Sequence, residues 1–147
     1  MQQVELSAYE NQKKTVEEMV MLGAADGVYF SHQFFPKTVR QTSPEIHYEV
    51  WDAMDSLEHE HVGLELFRGS GKTTITRMNV AKRISYGISR TIMAVGPEQG
   101  HAKRTVRWIM RQIETNRFWT QTFGLKKGSK WSENEIEIIN ESADCRI

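Results

Sequence analysis

The chain holds one cysteine in 147 residues, Cys145, so no internal disulfide can staple the fold. Neither a second cysteine nor a histidine stands near it at ligand spacing, which leaves a metal or catalytic role for that thiol without support. No apolar stretch reaches the length of a membrane span. The start, Met1-Gln2-Gln3-Val4-Glu5, lacks both the basic residues and the apolar run of a signal peptide. These absences point to a chain of the cytoplasm, in a reducing compartment and with no membrane partner. Net charge is also missing, at +0 formally, but the balance conceals a division. Residues 1–60 carry four basic against eleven acidic side chains, and residues 61–147 carry fifteen against eight. From Arg68 to Lys130 only Glu98 and Glu114 oppose fourteen bases. So long a basic segment reads either as a seat for a polyanion, nucleic acid first, or as a solvated face balanced by the acidic third.

At 39% hydrophobic and 26% charged, the composition is that of a globular domain. Its most informative stretch is Leu64-Glu65-Leu66-Phe67-Arg68-Gly69-Ser70-Gly71-Lys72-Thr73-Thr74. An apolar run, a glycine turn and a Lys-Thr pair opening an amphipathic segment are the layout of a phosphate-binding loop. Gly69 and Gly71 let backbone N–H groups converge on phosphate oxygens, Lys72 can reach the β- and γ-phosphates, and the Thr73 hydroxyl can hold Mg2+. The usual pattern has a glycine at the position of Leu66, so the loop departs from it there.

Along the rest of the chain, Leu6, Tyr9, Val16, Met19, Val20 and Leu22 give residues 6–22 helical spacing. The aromatic segment Val28 to Phe35, closed by Pro36, reads as packing, His32 included. A polar connector, 37–43, leads to Ser43-Pro44-Glu45, a cap followed by proline at the first helical position. The helix it opens has an apolar face of Ile46, Val50, Trp51, Met54 and Leu57. Glu58-His59-Glu60-His61 has the residue types of a metal site but not the two separated ligand pairs, and reads as a solvated turn. Residues 62–67 are expected as a strand, about 72–86 as a helix ended by Gly87, and 91–95 as a second strand of a parallel sheet. A helix from Gly96-Pro97-Glu98 to about Phe118 follows. It has an apolar stripe of Ala102, Val106, Ile109, Met110 and Ile113, and a basic stripe of Lys103, Arg104, Arg107 and Arg111. A turn over Gly124–Gly128, a strand over 131–140 and the start of another at Cys145-Arg146-Ile147 complete the sequence. Strand, helix and strand in this order predict an α/β fold of the P-loop NTPase (RecA/helicase-like) type. Its parallel sheet would have helices on both faces, and it would be C-terminally incomplete. Residues 1–43 would form an N-terminal helix and aromatic connector, and 44–147 the partial ATPase domain. An ATPase also needs an apolar strand ending in an acid, and none follows Lys72. The chain alone is therefore expected to be hydrolysis-deficient.

Together these features resemble the large terminase subunit of tailed double-stranded DNA bacteriophages. The resemblance rests on Phe67 to Thr74, on Phe35-Pro36 through Pro44-Glu45-Ile46-His47, on Ile92 to Ala102, and on Asn116 to Asn140. It implies a motor that uses ATP and Mg2+ to move double-stranded DNA into a procapsid. Partners would be a portal protein, a small terminase subunit and further copies of the same chain. Gly69, Ser70, Gly71, Lys72, Thr73 and Thr74 would bind the nucleotide, Arg68 would stabilise the γ-phosphate, and either Gln41 or His47 would contact adenine. Rival readings are a piece of a superfamily 2 type helicase and a non-catalytic nucleotide- or DNA-binding module.

Overall fold

The computed structural model describes residues 15–144, so Leu6, Tyr9 and the expected strand start at Cys145 lie outside the described residues. The chain is mostly helical. Helix α1 occupies residues 15–25, followed by α2 (Gly27–Phe34), α3 (Glu45–Asp55), α4 (Lys72–Ser85), α5 (Gln99–Thr115) and α6 (Arg117–Phe123). A hairpin of β1 (Leu125–Trp131) and β2 (Ile136–Asn140) and a short α7 (Glu141–Asp144) close the described chain. Among the described residues no helix is long and apolar enough to cross a membrane.

The expected α/β architecture with a parallel sheet is therefore wrong: among the described residues the sheet has two strands, β1 and β2, and they run antiparallel. Residues 62–67 and 91–95 carry the side-chain pattern of strands but join no ladder. A strand is made by its partner's hydrogen bonds, which a local apolar run does not supply. Phe67, Met93 and Val95 stay exposed as a result, at 68%, 81% and 84%. Of the Gly124–Gly128 stretch, expected as a turn, Gly124 is the left-handed cap of α6 while Leu125 to Gly128 form the first half of β1, and Trp131 ends β1 rather than starting the next strand. The hairpin's register shifts between Lys127 and Trp131, around Gly128, whose open side takes the Glu137 side chain.

The core is aromatic. Phe30, Phe34, Phe35, Trp119 and Phe123 are buried with Trp51, Ile75, Met78, Ala81, Ile109, Ile113 and Leu125, in a cluster that draws on residues from both sides of position 44. The segment read as packing does pack: Phe34 lies edge-on to Phe123 at 5.0 Å between centroids, and Phe35 lies 5.0 Å from Trp119. Asp26 opens α2, its carboxylate accepting from the Val28 and Tyr29 N–H groups at 2.9 and 3.1 Å. Ser43 does not cap α3 as expected, because its hydroxyl bonds the His32 ring at 3.1 Å and Pro44 stands at the cap position.

Helix α4 is the element to which the others are tied. Its start follows a glycine turn and its end is set by Gly87 at φ 61°. Near that end Trp119 Nε1 donates to Ser85 Oγ at 2.7 Å, and Asn140 Nδ2 donates to the carbonyls of Ile84 and Ser85 at 2.7 and 3.0 Å. Tyr86 donates its hydroxyl to the Val20 carbonyl of α1 at 2.6 Å. The Asn140 bonds satisfy carbonyls that the helix end leaves open, and all of these bonds together fix the C-terminal half of α4. Its N-terminal end is left to project the glycine turn.

The hairpin is held on its surface by carboxylates. Lys127 and Trp131 both donate to Glu114, Arg107 pairs with Glu133, and the Ser129 hydroxyl and N–H both donate to Glu137. Each of these bonds favours the ionised carboxyl, so all three acids sit below the ordinary value of 4.5. A depressed native pKa stabilises the fold above the ordinary carboxylate range, and that gain is lost as pH falls through the native values. The melting temperature is thus expected to decline as pH drops below about 4.5, with β1–β2 amide protection lost before that of α4. Equal loss in both elements on hydrogen exchange would contradict this.

Candidate functional site

The turn between Phe67 and Lys72 is built by two glycines. Gly69 at φ 88° and Gly71 at φ 81° are left-handed, a region that side chains make costly, and no other type of residue in the described chain has positive φ. Ser70 N–H closes the turn on the Phe67 carbonyl at 3.3 Å, and Gly71 serves as the N-cap of α4. A glycine cap has no side chain to accept from the first helical N–H groups, and none does. The first bond of the helix runs from Ile75 N–H to the Gly71 carbonyl at 2.9 Å, which leaves Lys72, Thr73 and Thr74 to present their N–H groups at the positive end of the helix.

Three side chains close on this turn. Lys72 folds back over it, its ammonium donating to the Leu66 carbonyl at 2.8 Å. His47, in the first turn of α3, donates its Nε2–H to the Ser70 carbonyl at 2.7 Å, and a Cβ on Gly71 would meet the same ring at 3.4 Å. The Ser70 side chain is 6% exposed, and its hydroxyl has no hydrogen-bond partner. An unpaired buried hydroxyl among uncapped N–H groups is a group that an oxyanion would satisfy. On the outer side a Cβ at Gly69 would meet nothing within 4 Å, so the turn is open to solvent there.

These residues fit a phosphate. Backbone donors, a dipole and an ammonium converge from one helix end, and the carboxylates nearest in sequence, Glu60 and Glu65, make no bond to the turn. Arg68 and Thr73 are exposed on either side of the glycines, and Thr74 is half-buried. Of the two residues expected at adenine, the structure brings His47 to the turn, while Gln41 lies exposed in the connector with no hydrogen bond to it. Among the described residues no group of three or more His, Cys, Asp or Glu could hold a metal.

Beneath the site lies a polar network that the sequence did not announce. Lys82, 2% exposed, pairs with Asp55 of α3 and has the Trp51 ring 5.6 Å from its ammonium. Asn79 Nδ2 donates to the other Asp55 oxygen at 3.4 Å, and Arg83 donates to Asn79, Ser89 and the Met54 carbonyl at 3.1–3.2 Å. The network joins α3 to α4 and so fixes His47 relative to the turn. The signal for Lys82 was its spacing: Ile75, Met78, Lys82 and Ser85 recur as i, i+3, i+7, i+10 on the buried side of α4. No family model, curated protein or solved structure matches the chain.

Proposed function

We propose that the chain binds the triphosphate of ATP, with Mg2+, at the turn Phe67–Thr74, as the nucleotide-binding part of a terminase-like motor. The observation that carries the nucleotide reading is the pair of left-handed glycines ahead of an uncapped helix, with Lys72 lying across the turn. In this reading Lys72 exchanges the Leu66 carbonyl for oxygens of the β- and γ-phosphates, and the N–H groups of Gly69 and of Gly71 to Thr74 wrap the chain of phosphates. The Thr73 hydroxyl is the protein's ligand to Mg2+, and Arg68 adds positive charge at the terminal phosphate. His47, already seated on Ser70, is better placed than Gln41 to meet the base. Bound ATP would supply the phosphoanhydride whose hydrolysis drives movement in the complete motor.

The larger assembly belongs to the same proposal: double-stranded DNA against the basic face of α5, a portal protein, a small terminase subunit and other copies of the chain, in the host cytoplasm. A second reading, a nucleotide- or DNA-binding module that does not hydrolyse, is favoured by one observation. Among the described residues the loop is not flanked by a paired strand, so no neighbouring strand end there offers an acid.

Calorimetric titration of the full chain with ATP, with and without Mg2+, tests the nucleotide reading. Lys72→Ala is expected to weaken binding tenfold or more, about 1.4 kcal/mol or above, while leaving the melting temperature in place. Equal affinity in the variant, or no binding by folded wild-type protein, would overturn it.

A further inference from the structure

Beyond the end of α4 the chain runs from Thr91 to Gly96 without helix, turn or bend. Among the described residues no backbone group from Ser89 to Pro97 bonds another backbone group. Thr91 to Val95 carry no charge, and Ile92, Met93 and Val95 stand exposed. An apolar run with open amides has the properties of an unguarded strand edge. The same segment lines a cleft of about 570 Å3, where Ile92 and Ala94 meet Ala102 and Val106 of α5 and Ile136 of β2. On the hairpin the cleft carries Glu133, Glu135 and Glu137, and each is engaged. Arg107 holds Glu133 at 2.6 Å, Lys130 holds Glu135 at 2.7 Å, and Ser129 donates its hydroxyl and N–H to Glu137 at 2.6 and 2.8 Å. Two further cations line the cleft, Arg90 and the half-buried Lys103 of α5, and among the described residues neither has an ion-pair partner. The charge left unanswered in the cleft is therefore positive.

We propose that this cleft seats an extended peptide in which apolar residues alternate with acidic ones, added as a strand to Thr91–Val95. Main-chain bonds to the open amides supply the affinity, and the pockets for alternate side chains supply the choice of partner. Apolar side chains of the peptide enter between the straight segment and the Ala102–Val106 face of α5, and its carboxylates answer Arg90 and Lys103. At ~3.3 Å per residue the edge from Thr91 to Val95 is about 16 Å long, enough for a short motif. A nucleic acid fits less well, because its row of phosphates would run against three glutamates and gain nothing from the apolar lining. A second copy of the chain would offer Thr91–Val95 in its turn, which brings no acid to Arg90 or Lys103. The site does not depend on the reading of the glycine turn.

The test uses the full chain with a labelled peptide, acetyl-Val-Glu-Val-Glu-Val-amide, and a counterpart in which lysine replaces each glutamate. Fluorescence anisotropy is expected to show the acidic peptide bound about tenfold or more tightly than its counterpart. Lys103→Glu should abolish or reverse that preference while leaving the melting temperature close to wild type, since Lys103 has no ion pair to lose. Amide hydrogen exchange in the wild-type protein separates strand addition from attraction at a surface. Saturating acidic peptide should slow exchange at alternate residues of 91–95 by about tenfold or more, because successive amides of a strand face opposite ways. Equal binding of the two peptides, no binding of the acidic one to folded wild-type protein, or bound peptide with the 91–95 amides exchanging as before would each overturn the proposal. So would protection of those amides that appears without peptide and grows with protein concentration, which assigns the edge to a second copy of the chain. A mixed-sequence DNA duplex that protects them in the peptide's place would assign the cleft to nucleic acid and overturn it equally.

Discussion

Asp55→Ala is expected to lower the stability of the fold by about 3–5 kcal/mol, measured by urea denaturation at neutral pH. The removed carboxylate is partly exposed, but what it leaves behind is not: the Lys82 side chain is 3% exposed. An ammonium held there must stay charged in a poor solvent, lose its proton or tear open the α3–α4 seam. The Trp51 face 5.6 Å away offers only partial compensation. Asp55 also accepts from Asn79, so Arg83 and its contacts to α3 loosen with it. Adding Lys82→Met to Asp55→Ala should restore most of the loss, because removing both partners leaves no orphaned charge. A single-variant loss below about 1 kcal/mol would show that Lys82 reaches water without the pair.

Gly27→Ala is expected to cost about 3 kcal/mol or more, by overpacking. A methyl group at Gly27 would run into the six-membered ring of Trp51, whose atoms lie against the Gly27 backbone. Relief requires either α2 to back away from α3 or Trp51, 4% exposed, to leave the core. In an exposed helix the same change would be favourable by nearly 1 kcal/mol, so its sign alone reports the contact. Trp51 is also the ring facing Lys82, and the variant should therefore couple to Asp55→Ala in a double-mutant cycle. Wild-type stability for Gly27→Ala would place the indole elsewhere.

Both predictions concern α3 and α4, and the sequence was readable there to different depths. The extent of α4 was legible because its two ends are glycine events: a left-handed turn before Lys72 and another at Gly87. The aromatic run Val28 to Phe35 was legible as packing because so many rings between two glycine-bounded segments have nowhere else to go. Lys82 escaped notice because a lysine on a helix is ordinarily solvated, although its place in the Ile75, Met78, Ser85 stripe marked the buried side.

The strands failed for a different reason. Residues 62–67 and 91–95 have apolar side chains but no neighbouring strand among the described residues, and pairing is a non-local event that composition does not encode. Leu125 to Trp131 was hidden by its glycine and lysines, which suit a two-stranded edge whose outer surface is wet. The candidate site was affected less, since its turn depends on the local demands of Gly69 and Gly71. What the sequence left open was the base-facing residue, and tertiary contact alone brings His47 from α3 to Ser70.

The central claim is that the Gly69–Thr74 turn receives phosphate. Its most direct test is a titration of isotopically labelled full-length protein with Mg2+ and ATP, followed at the backbone amides. The largest shifts are expected at Gly69, Gly71, Lys72 and Thr73, with the His47 ring shifting in step and β1–β2 amides unmoved. Shifts confined to other surfaces, with those four amides silent at saturating nucleotide, would contradict the account.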